Sequence, residues 1–542
     1  LICLLLVGRG AAAFAVSCKV APARAASDAE SAFLQGNFDQ AAALYQAQLK
    51  LHPSDTDAVA GLVDALLRQQ KVAEAAEAAQ QALAAQPKSA ALLAAKAEVL
   101  YRQGTPWLAG DAAEEAMRLD PCNARVRLVR AKLLRLSSYY ATERAELRTA
   151  NLLDPHDPAI RLAWIETLPT KERVAELETY LASPSGDDPD DIRRLRTYLE
   201  SLKKRLAEPR KSCRLVSAAN STEIPFATLM QDANRIRAFG LEVKLNDHKS
   251  RLEIDTGAGG ILVSRSVAQR AGLKPFVDTE VGGIGAEGEK KAYSAYADSI
   301  KIGSLEFHDC MVEVLNSRNV MDDSDGLIGM DVLAGFLVTL DYPMRKLELG
   351  PLPPRPTDSG AQAPSLATGA GPQENEDDPP TAATPAPKGS QDRYIAPEMK
   401  SYTKVFRVGH QLMIPTSLNQ AGNPPKLFIL DTGAFSTIIS PEAAREVTKL
   451  HGDDQLTVHG ISGKVEKVYT ADKVTFYFAN LAQPGREIVS FDTSKISKDV
   501  GLEISGFLGA TTLSQVTMHI DYRDGLVKFD YDPNRGFRAV RP

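Results

Sequence analysis

Two stretches of the chain carry an aspartate from an apolar run into a tight turn: Leu252-Glu-Ile-Asp-Thr-Gly-Ala258 and Phe428-Ile-Leu-Asp-Thr-Gly-Ala434. A single aspartate before Thr-Gly is an ordinary turn residue whose oxygens accept from nearby backbone amides. Two in matched settings form a candidate catalytic pair. Amide hydrolysis by an activated water needs one ionised carboxylate to take a proton and one protonated carboxyl to polarise the carbonyl. Asp255 and Asp431 are therefore the candidate catalytic residues.

The elements that must position them are duplicated as well. After the first turn come Ile261-Leu-Val-Ser264 and a helical run from Arg265 to Ala271; after the second come Thr437-Ile-Ile-Ser440 and a run from Pro441 to Lys449. Gly-containing hairpin candidates follow in the same order, Val281-Gly-Gly-Ile-Gly-Ala286 and Val458-His-Gly-Ile-Ser-Gly463. Next come Gly326-Leu-Ile-Gly329 and Gly506-Phe-Leu-Gly509, then strand-turn-strand patterns opening on Val338-Thr-Leu-Asp-Tyr342 and Met518-His-Ile-Asp-Tyr522. The offset between copies runs from 176 residues at the first motif to 180 at the last, which marks an internal duplication.

These residues resemble the aspartic peptidases, and within them the retropepsin-like branch, in which one small β lobe carries one Asp-Thr-Gly-Ala and pairs with another. The resemblance covers about half of the chain's 542 residues. It implies that Asp255 and Asp431 are the catalytic pair and that the hydroxyls of Thr256 and Thr432 brace the active-site loops. It also implies that Gly257 and Gly433 lie where a Cβ would crowd the carboxylates, and that Gly329 and Gly509 pack beneath the loops. Gly283, Ile284 and Gly285, with Gly460, Ile461 and Ser462, become the flap candidates. Neither flap candidate contains the tyrosine that a pepsin-like flap presents near its tip.

Other chemistries find less support. Gly283-Ile-Gly-Ala-Glu-Gly288 fits the spacing of a dinucleotide fingerprint, but Glu287-Gly-Glu-Lys-Lys291 reads as a hairpin tip and not as a helix opening. The eight histidines form no His-Glu-x-x-His helix, no Cys-x-x-Cys pair occurs, and no Gly-x-Ser-x-Gly elbow is present. Neither a metal nor a cofactor is expected.

Upstream, Pro53, Pro87, Pro121 and Pro155 fall 34 residues apart in Ala-rich amphipathic sequence. That period, with a proline closing each unit, resembles tetratricopeptide repeats. Residues 29–168 read as a short α-solenoid that recruits or positions a protein partner, or serves as architecture. If it only recruits, removing it should leave cleavage of short peptides intact. Residues 169–212 read as a helical bridge, with runs from Lys171 to Ala182 and from Asp190 to Ala207.

Residues 351–397 are rich in Pro, Ala, Gly and acidic residues and read as a flexible linker between lobes at 213–350 and 398–536. The net charge of −6 argues against nucleic acid as a principal partner. Residues 1–26 look like a signal peptide, with Leu1-Ile-Cys-Leu-Leu-Leu-Val7 before Ala23-Arg-Ala25, and Ala15-Val-Ser-Cys18 weakly resembles a lipoprotein site. A periplasmic or secreted location is expected, with a lipid-anchored form as the alternative. No later stretch is apolar enough to cross a bilayer. With Cys3 and Cys18 in the leader, Cys122, Cys213 and Cys310 are an odd, widely spaced set that suggests no disulfide framework.

The expected fold is thus multidomain, α plus all-β: a TPR-like α-solenoid followed by two retropepsin-like β-barrel lobes forming a pseudo-dimer. The expected function is an aspartic-type endopeptidase acting on a peptide or protein. The alternative is a non-catalytic peptide-binding scaffold of the same fold, and a homodimer is the alternative route to pairing the lobes.

Overall fold

In the computed structural model, which describes residues 18–20, 25–183, 185–210, 212–232, 235–317, 324–356, 391–453 and 456–532, the period-34 prolines each stop a helix. Helices Phe38–Leu51, Val72–Ala85, Pro106–Leu119 and Tyr140–Leu153 all end two residues before a proline. The next helix begins just after a capping residue. Asp55, Ser89, Asn123 and Asp157 accept from backbone amides in the first turns of Thr56–Arg68, Ala90–Arg102, Ala124–Leu136 and Pro158–Ile165. The turn inside each unit holds a residue of positive φ at Gly36, Gln70, Gly104 and Ser138, again 34 apart. Ala41, Ala75 and Ala109 are fully buried at equivalent places and let the paired helices approach. Glu143 takes that place in the fourth unit and is buried against Arg135, 3.1 Å away. Helices Thr170–Leu181 and Pro189–Ala207 continue the helical region to the β lobes, giving a mixed α plus β protein.

Each lobe threads its apolar-apolar-Gly strand between the two strands that flank the aspartate turn. In lobe 1, Gly326–Gly329 runs parallel to His248–Asp255, with Gly329 opposite Asp255, and antiparallel to Ile261–Ser264. In lobe 2, Gly506–Leu508 runs parallel to Lys426–Leu430 and antiparallel to Ile438–Ile439. These strands are buried on both faces, which is why they read as continuous apolar runs and not as alternating ones.

The two final hairpins then join the lobes. Strand Phe336–Asp341 pairs antiparallel with Thr517–Asp521 in a six-stranded sheet that spans both lobes. Thr339 stands opposite His519, its own duplicate in sequence, and their side chains are 3.0 Å apart. Neighbouring pairs are exchanged about this point, Val338 with Ile520 and Leu340 with Met518. A local twofold therefore passes through Thr339 and His519, and the lobes pair within one chain.

The solenoid is not an appendage. Leu136, Tyr101 and Trp107 share an apolar cluster with Met413, Leu427, Ile429, Phe406 and Phe507 of lobe 2. The Glu503 amide donates to the Arg102 carbonyl at 2.9 Å, and Thr142 is bonded through its amide to Asp392 at 2.9 Å. Free removal of residues 29–168 is thus corrected: lobe 2 uses the solenoid as one wall of its core. Composition could not show this, because Met413, Leu427 and Ile429 read as ordinary strand residues.

The cysteines also differ from expectation. Cys18 pairs with Cys122 and Cys213 with Cys310, across 104 and 97 residues of chain. Separations of that length leave no spacing pattern to recognise, and closing such loops restricts the unfolded chain by about 4.7 kcal/mol each in the entropic picture. The Cys18 bond bears on the leader as well. A backbone cut after Ala25 would leave Cys18 held only by sulfur, and a thiol in a disulfide cannot carry a lipid. The rest of the leader motif, residues 1–17 and 21–24, lies outside the described residues.

The linker reading is corrected at both ends. Pro351 is still paired to Phe336, Arg355 is buried against Asp524, and Ala396 and Met399 join an apolar cluster with Leu526. Residues 357–390 lie outside the described residues.

Truncating Leu136 to Ala should lower the stability of the full chain by about 2–5 kcal/mol, measured by urea unfolding. Deleting residues 29–168 should yield lobes that aggregate or fail to fold. Peptide mapping without reduction should recover a Cys18–Cys122 linked pair from the full chain.

Candidate active site

Asp255 and Asp431 close their strands at the junction between lobes, and each is held by its own turn. Asp255 Oδ1 accepts from the amides of Gly257 and Ala258 at 2.8 and 3.0 Å; Asp431 Oδ1 accepts from those of Gly433 and Ala434, both at 3.0 Å. Each carboxyl lies against the glycine of the opposite loop, so the two face one another across the lobe junction. Asp431 is 7% exposed and Asp255 half-buried.

The threonines cross the interface. Thr256 Oγ1 donates to the Leu430 carbonyl at 2.8 Å and accepts from the Thr432 amide at 3.0 Å. Thr432 Oγ1 donates to the Ile254 carbonyl at 3.0 Å and accepts from the Thr256 amide at 3.1 Å. Each hydroxyl thus satisfies a carbonyl and an amide of the opposite lobe, and all four bonds are buried. The glycines beside them have no room for a side chain. A Cβ on Gly257 would lie 2.6 Å from Asp431 Cγ, and one on Gly433 would overlap the Asp255 carboxyl. Gly329 and Gly509 lie under the loops, where a Cβ would run into the carbonyls of Ala258 and of Ala434 and Ser436.

The flap candidates also meet. Strands Pro275–Val281 and Lys290–Ile302 carry one tip, and the small hairpin His459–Gly460 with Gly463–Lys464 carries the other. The Ser462 amide donates to the Ile284 carbonyl at 3.0 Å, the Glu287 amide to the Ser462 carbonyl at 2.7 Å, and the Ala286 amide to the Lys464 carbonyl at 3.1 Å. Ser462 is fully buried, and its Oγ accepts from the Gly283 amide at 3.1 Å. Gly285 (φ +131°) and Gly460 are where one tip's backbone lies against the other's, too close for a Cβ. Ile284 joins an apolar cluster of lobe 2 that contains Ala434, and Ile461 one of lobe 1 that contains Ala258, so each tip crosses to the opposite lobe.

Burial dominates the electrostatics. It raises both the Asp255 and Asp431 carboxyls above the ordinary aspartate value, and the negative charge of Asp255 adds to the rise at Asp431. Two like charges this close make one proton on the pair the low-energy state. Nearby, burial pushes Glu253, 1% exposed, up to about 7 even with Arg237 2.8 Å away.

Sequence reasoning missed two further residues at this site. Asp331, two positions past Gly329, accepts from the Gly260 amide at 3.0 Å, and His410 reaches the Gly257 carbonyl from lobe 2. Asp331 could have been suspected from its place after the second motif. His410 stands outside every repeated motif and gives no signal in sequence. Among the described residues no group of His, Cys, Asp and Glu has the arrangement of a metal site, and no helix is long and apolar enough to cross a membrane.

Comparison with known proteins follows the same division. The family model for aspartyl protease matches residues 241–332, which hold Asp255, one flap tip and Gly329. That for the tetratricopeptide repeat matches residues 29–90 and 61–124. The chain therefore carries a retropepsin-like aspartyl protease domain behind tetratricopeptide repeats. DNA damage-inducible protein 1 of Neurospora crassa is 32% identical over 103 residues, 19% of this chain and 22% of that protein. UBA domain-containing protein Mud1 of Schizosaccharomyces pombe is 29% identical over 103 residues, 19% of this chain and 30% of its own length. The matched segment spans less than a third of either relative. A solved thermophilic TPR protein of Thermus thermophilus is 24% identical and covers 32% of this chain and 95% of its own, with a TM-score of 0.26.

Thr256→Val strands the Leu430 carbonyl and the Thr432 amide, and should cost about 2–3 kcal/mol in urea unfolding. A second expectation concerns pH. A carboxyl whose folded pKa stands above its unfolded one gains a proton's worth of stability in acid, complete below the unfolded value and lost as pH rises through the folded one. For Glu253 that window runs from the ordinary 4.5 to about 7, and for Asp521 from 3.8 to about 7. The melting temperature should therefore be higher at about pH 5 than at about pH 8, and Glu253→Gln should flatten the dependence.

Proposed function

We propose that the chain is an exported aspartic-type endopeptidase whose catalytic pair is Asp255 and Asp431. The observation that carries this reading is the facing carboxyl pair of Asp255 and Asp431, set by two matching turns, each carboxyl lying against the glycine of the other's loop. The ionised member accepts a proton from a water held between the two carboxyls as that water attacks the peptide carbonyl. The protonated member donates to the carbonyl oxygen, and the flaps exclude bulk water. Because the flap tips are bonded to each other, substrate entry requires them to part.

The extracytoplasmic location is supported by two disulfides, which persist in oxidising compartments. Anchoring by a lipid on Cys18 and the Cys18–Cys122 bond exclude each other, so the unanchored form is preferred. The tetratricopeptide repeats are a protein-interaction module, and a partner recruited to them would use solenoid surface other than the part packed on lobe 2.

Peptide cleavage should be bell-shaped in pH. Its acid limb marks protonation of the ionised member. Its alkaline limb marks loss of the shared proton and should stand well above the ordinary carboxylate range, because Asp431 is raised. Asp255→Asn and Asp431→Asn should each lower kcat by roughly a thousandfold or more without unfolding the lobes. Statine-type mimics of the tetrahedral intermediate should inhibit; chelators should not. Retained hydrolysis in either variant would refute the paired mechanism. The interlocked flaps also suit a non-catalytic peptide-binding scaffold, and a folded wild type that binds peptides but cleaves none from acid to neutral pH would favour it.

A further inference from the structure

The turn between strands Phe406–Val408 and Gln411–Leu418 belongs to lobe 2, yet its residue His410 serves lobe 1. His410 Nε2 lies 3.0 Å from the Gly257 carbonyl oxygen. A carbonyl only accepts, so Nε2 carries the hydrogen. That carbonyl belongs to the peptide unit whose N–H, on Ala258, donates to Asp255 Oδ1 at 3.0 Å. Imidazole, peptide and carboxylate thus form two hydrogen bonds in series, all donating toward Asp255. A peptide polarised at its oxygen donates more strongly at its N–H, so the imidazole stabilises the Asp255 anion without touching it.

Asp431 has the same turn but not the same support. The Gly433–Ala434 peptide also donates to it at 3.0 Å, yet among the described residues no side chain donates to the Gly433 carbonyl. The residue 176 positions before His410 is Asn234, which lies outside the described residues, and the residue 180 positions after Asp331 is Thr511, which is neutral. Among the described residues, the charged or titrating groups that act on His410 are Asp331, which is 3% exposed, Asp255, and Arg407. Arg407 is itself turned toward Tyr522, donating to its carbonyl at 2.7 Å. Among the described residues, the twofold that relates the loops is therefore broken on the Asp255 side.

We propose that His410 is a positioning residue that breaks the equivalence of the two carboxyls: through the Gly257–Ala258 peptide it makes Asp255 the ionised member and leaves the shared proton on Asp431. On the peptidase reading, on which this rests, Asp255 then accepts the proton of the attacking water and Asp431 donates to the substrate carbonyl. Burial lowers the imidazole's pKa and so favours its neutral form, in which the bond to the Gly257 carbonyl holds the hydrogen on Nε2; a protonated ring would keep that donor too.

The test is a pH titration of the aspartate carboxyl carbons, selectively 13C-labelled, in the full-length wild type, His410→Leu and His410→Gln. In the wild type Asp255 should ionise at lower pH than Asp431. His410→Leu should raise the Asp255 titration by about half a pH unit, and the acid limb of kcat/KM with it. His410→Gln, whose amide can still donate to the Gly257 carbonyl, should restore most of the shift, which a merely structural role would not predict. Asp431 ionising first in the wild type overturns the proposal, as does a folded His410→Leu with both titrations unmoved. If the leucine variant does not fold, the wild-type order and the glutamine variant decide. The titration needs no turnover, so a wild type that cleaves nothing but ionises at Asp255 first supports the asymmetry and removes only the peptidase reading.

Discussion

Holding two carboxyls side by side out of water is unfavourable twice over, once for burial and once for like charge, and the rest of the β region is organised around that cost. The crossed threonines are the central compensation. Each hydroxyl fills one donor and one acceptor site in the opposite lobe, so neither aspartate loop is fully hydrogen-bonded until the lobes meet. Backbone amides hold one oxygen of each aspartate, which fixes the two carboxyls in matching orientations. Glycine follows the threonine in both loops because the facing carboxyl occupies the space of its Cβ.

The pairing is then secured at both ends of the local twofold. Below the loops, the strand opposite Asp255 ends in Gly329, and its lobe 2 equivalent leads to Gly509, which lets each loop rest on backbone. Further out, the final hairpins join in one sheet about Thr339 and His519. Above, the flap tips are bonded to each other and each contributes an isoleucine to the opposite lobe. Carboxyl pair, threonine brace, sheet and flaps are four contacts between the same two units, and each brings together segments that occupy equivalent places in the duplication.

Where the molecule departs from twofold symmetry, it does so for identifiable reasons. Lobe 2 packs Met413, Leu427 and Ile429 against the solenoid; the residues 176 positions earlier in lobe 1 are Arg237, Arg251 and Glu253, and Arg237 and Glu253 form an ion pair. The apolar face belongs to the lobe that has helices to cover it. The same inequality reaches the centre through His410 and Asp331, which bond to the loop that carries Asp255. A duplicated site in a single chain is free to differentiate its halves, whereas two identical chains must carry every substitution twice.

Much of this was legible in the chain itself. The carboxyl pair, threonines and glycines could be named because each occurs twice in the same order, and a repeated motif constrains geometry in a way one motif does not. The helical units could be counted because a proline recurs every 34 residues in Ala-rich sequence; the capping residue and left-handed turn that share its period became visible in the structure. What sequence could not supply were contacts between segments that share no pattern: Cys18 with Cys122 and Cys213 with Cys310, the solenoid against lobe 2, Arg355 and Tyr394 tying down the linker ends, and His410 against Gly257. Local propensity and periodicity act within a few residues and mark themselves in sequence. Packing partners a hundred or more residues apart are chosen by shape and burial once the chain has folded, and only the tertiary structure decides them.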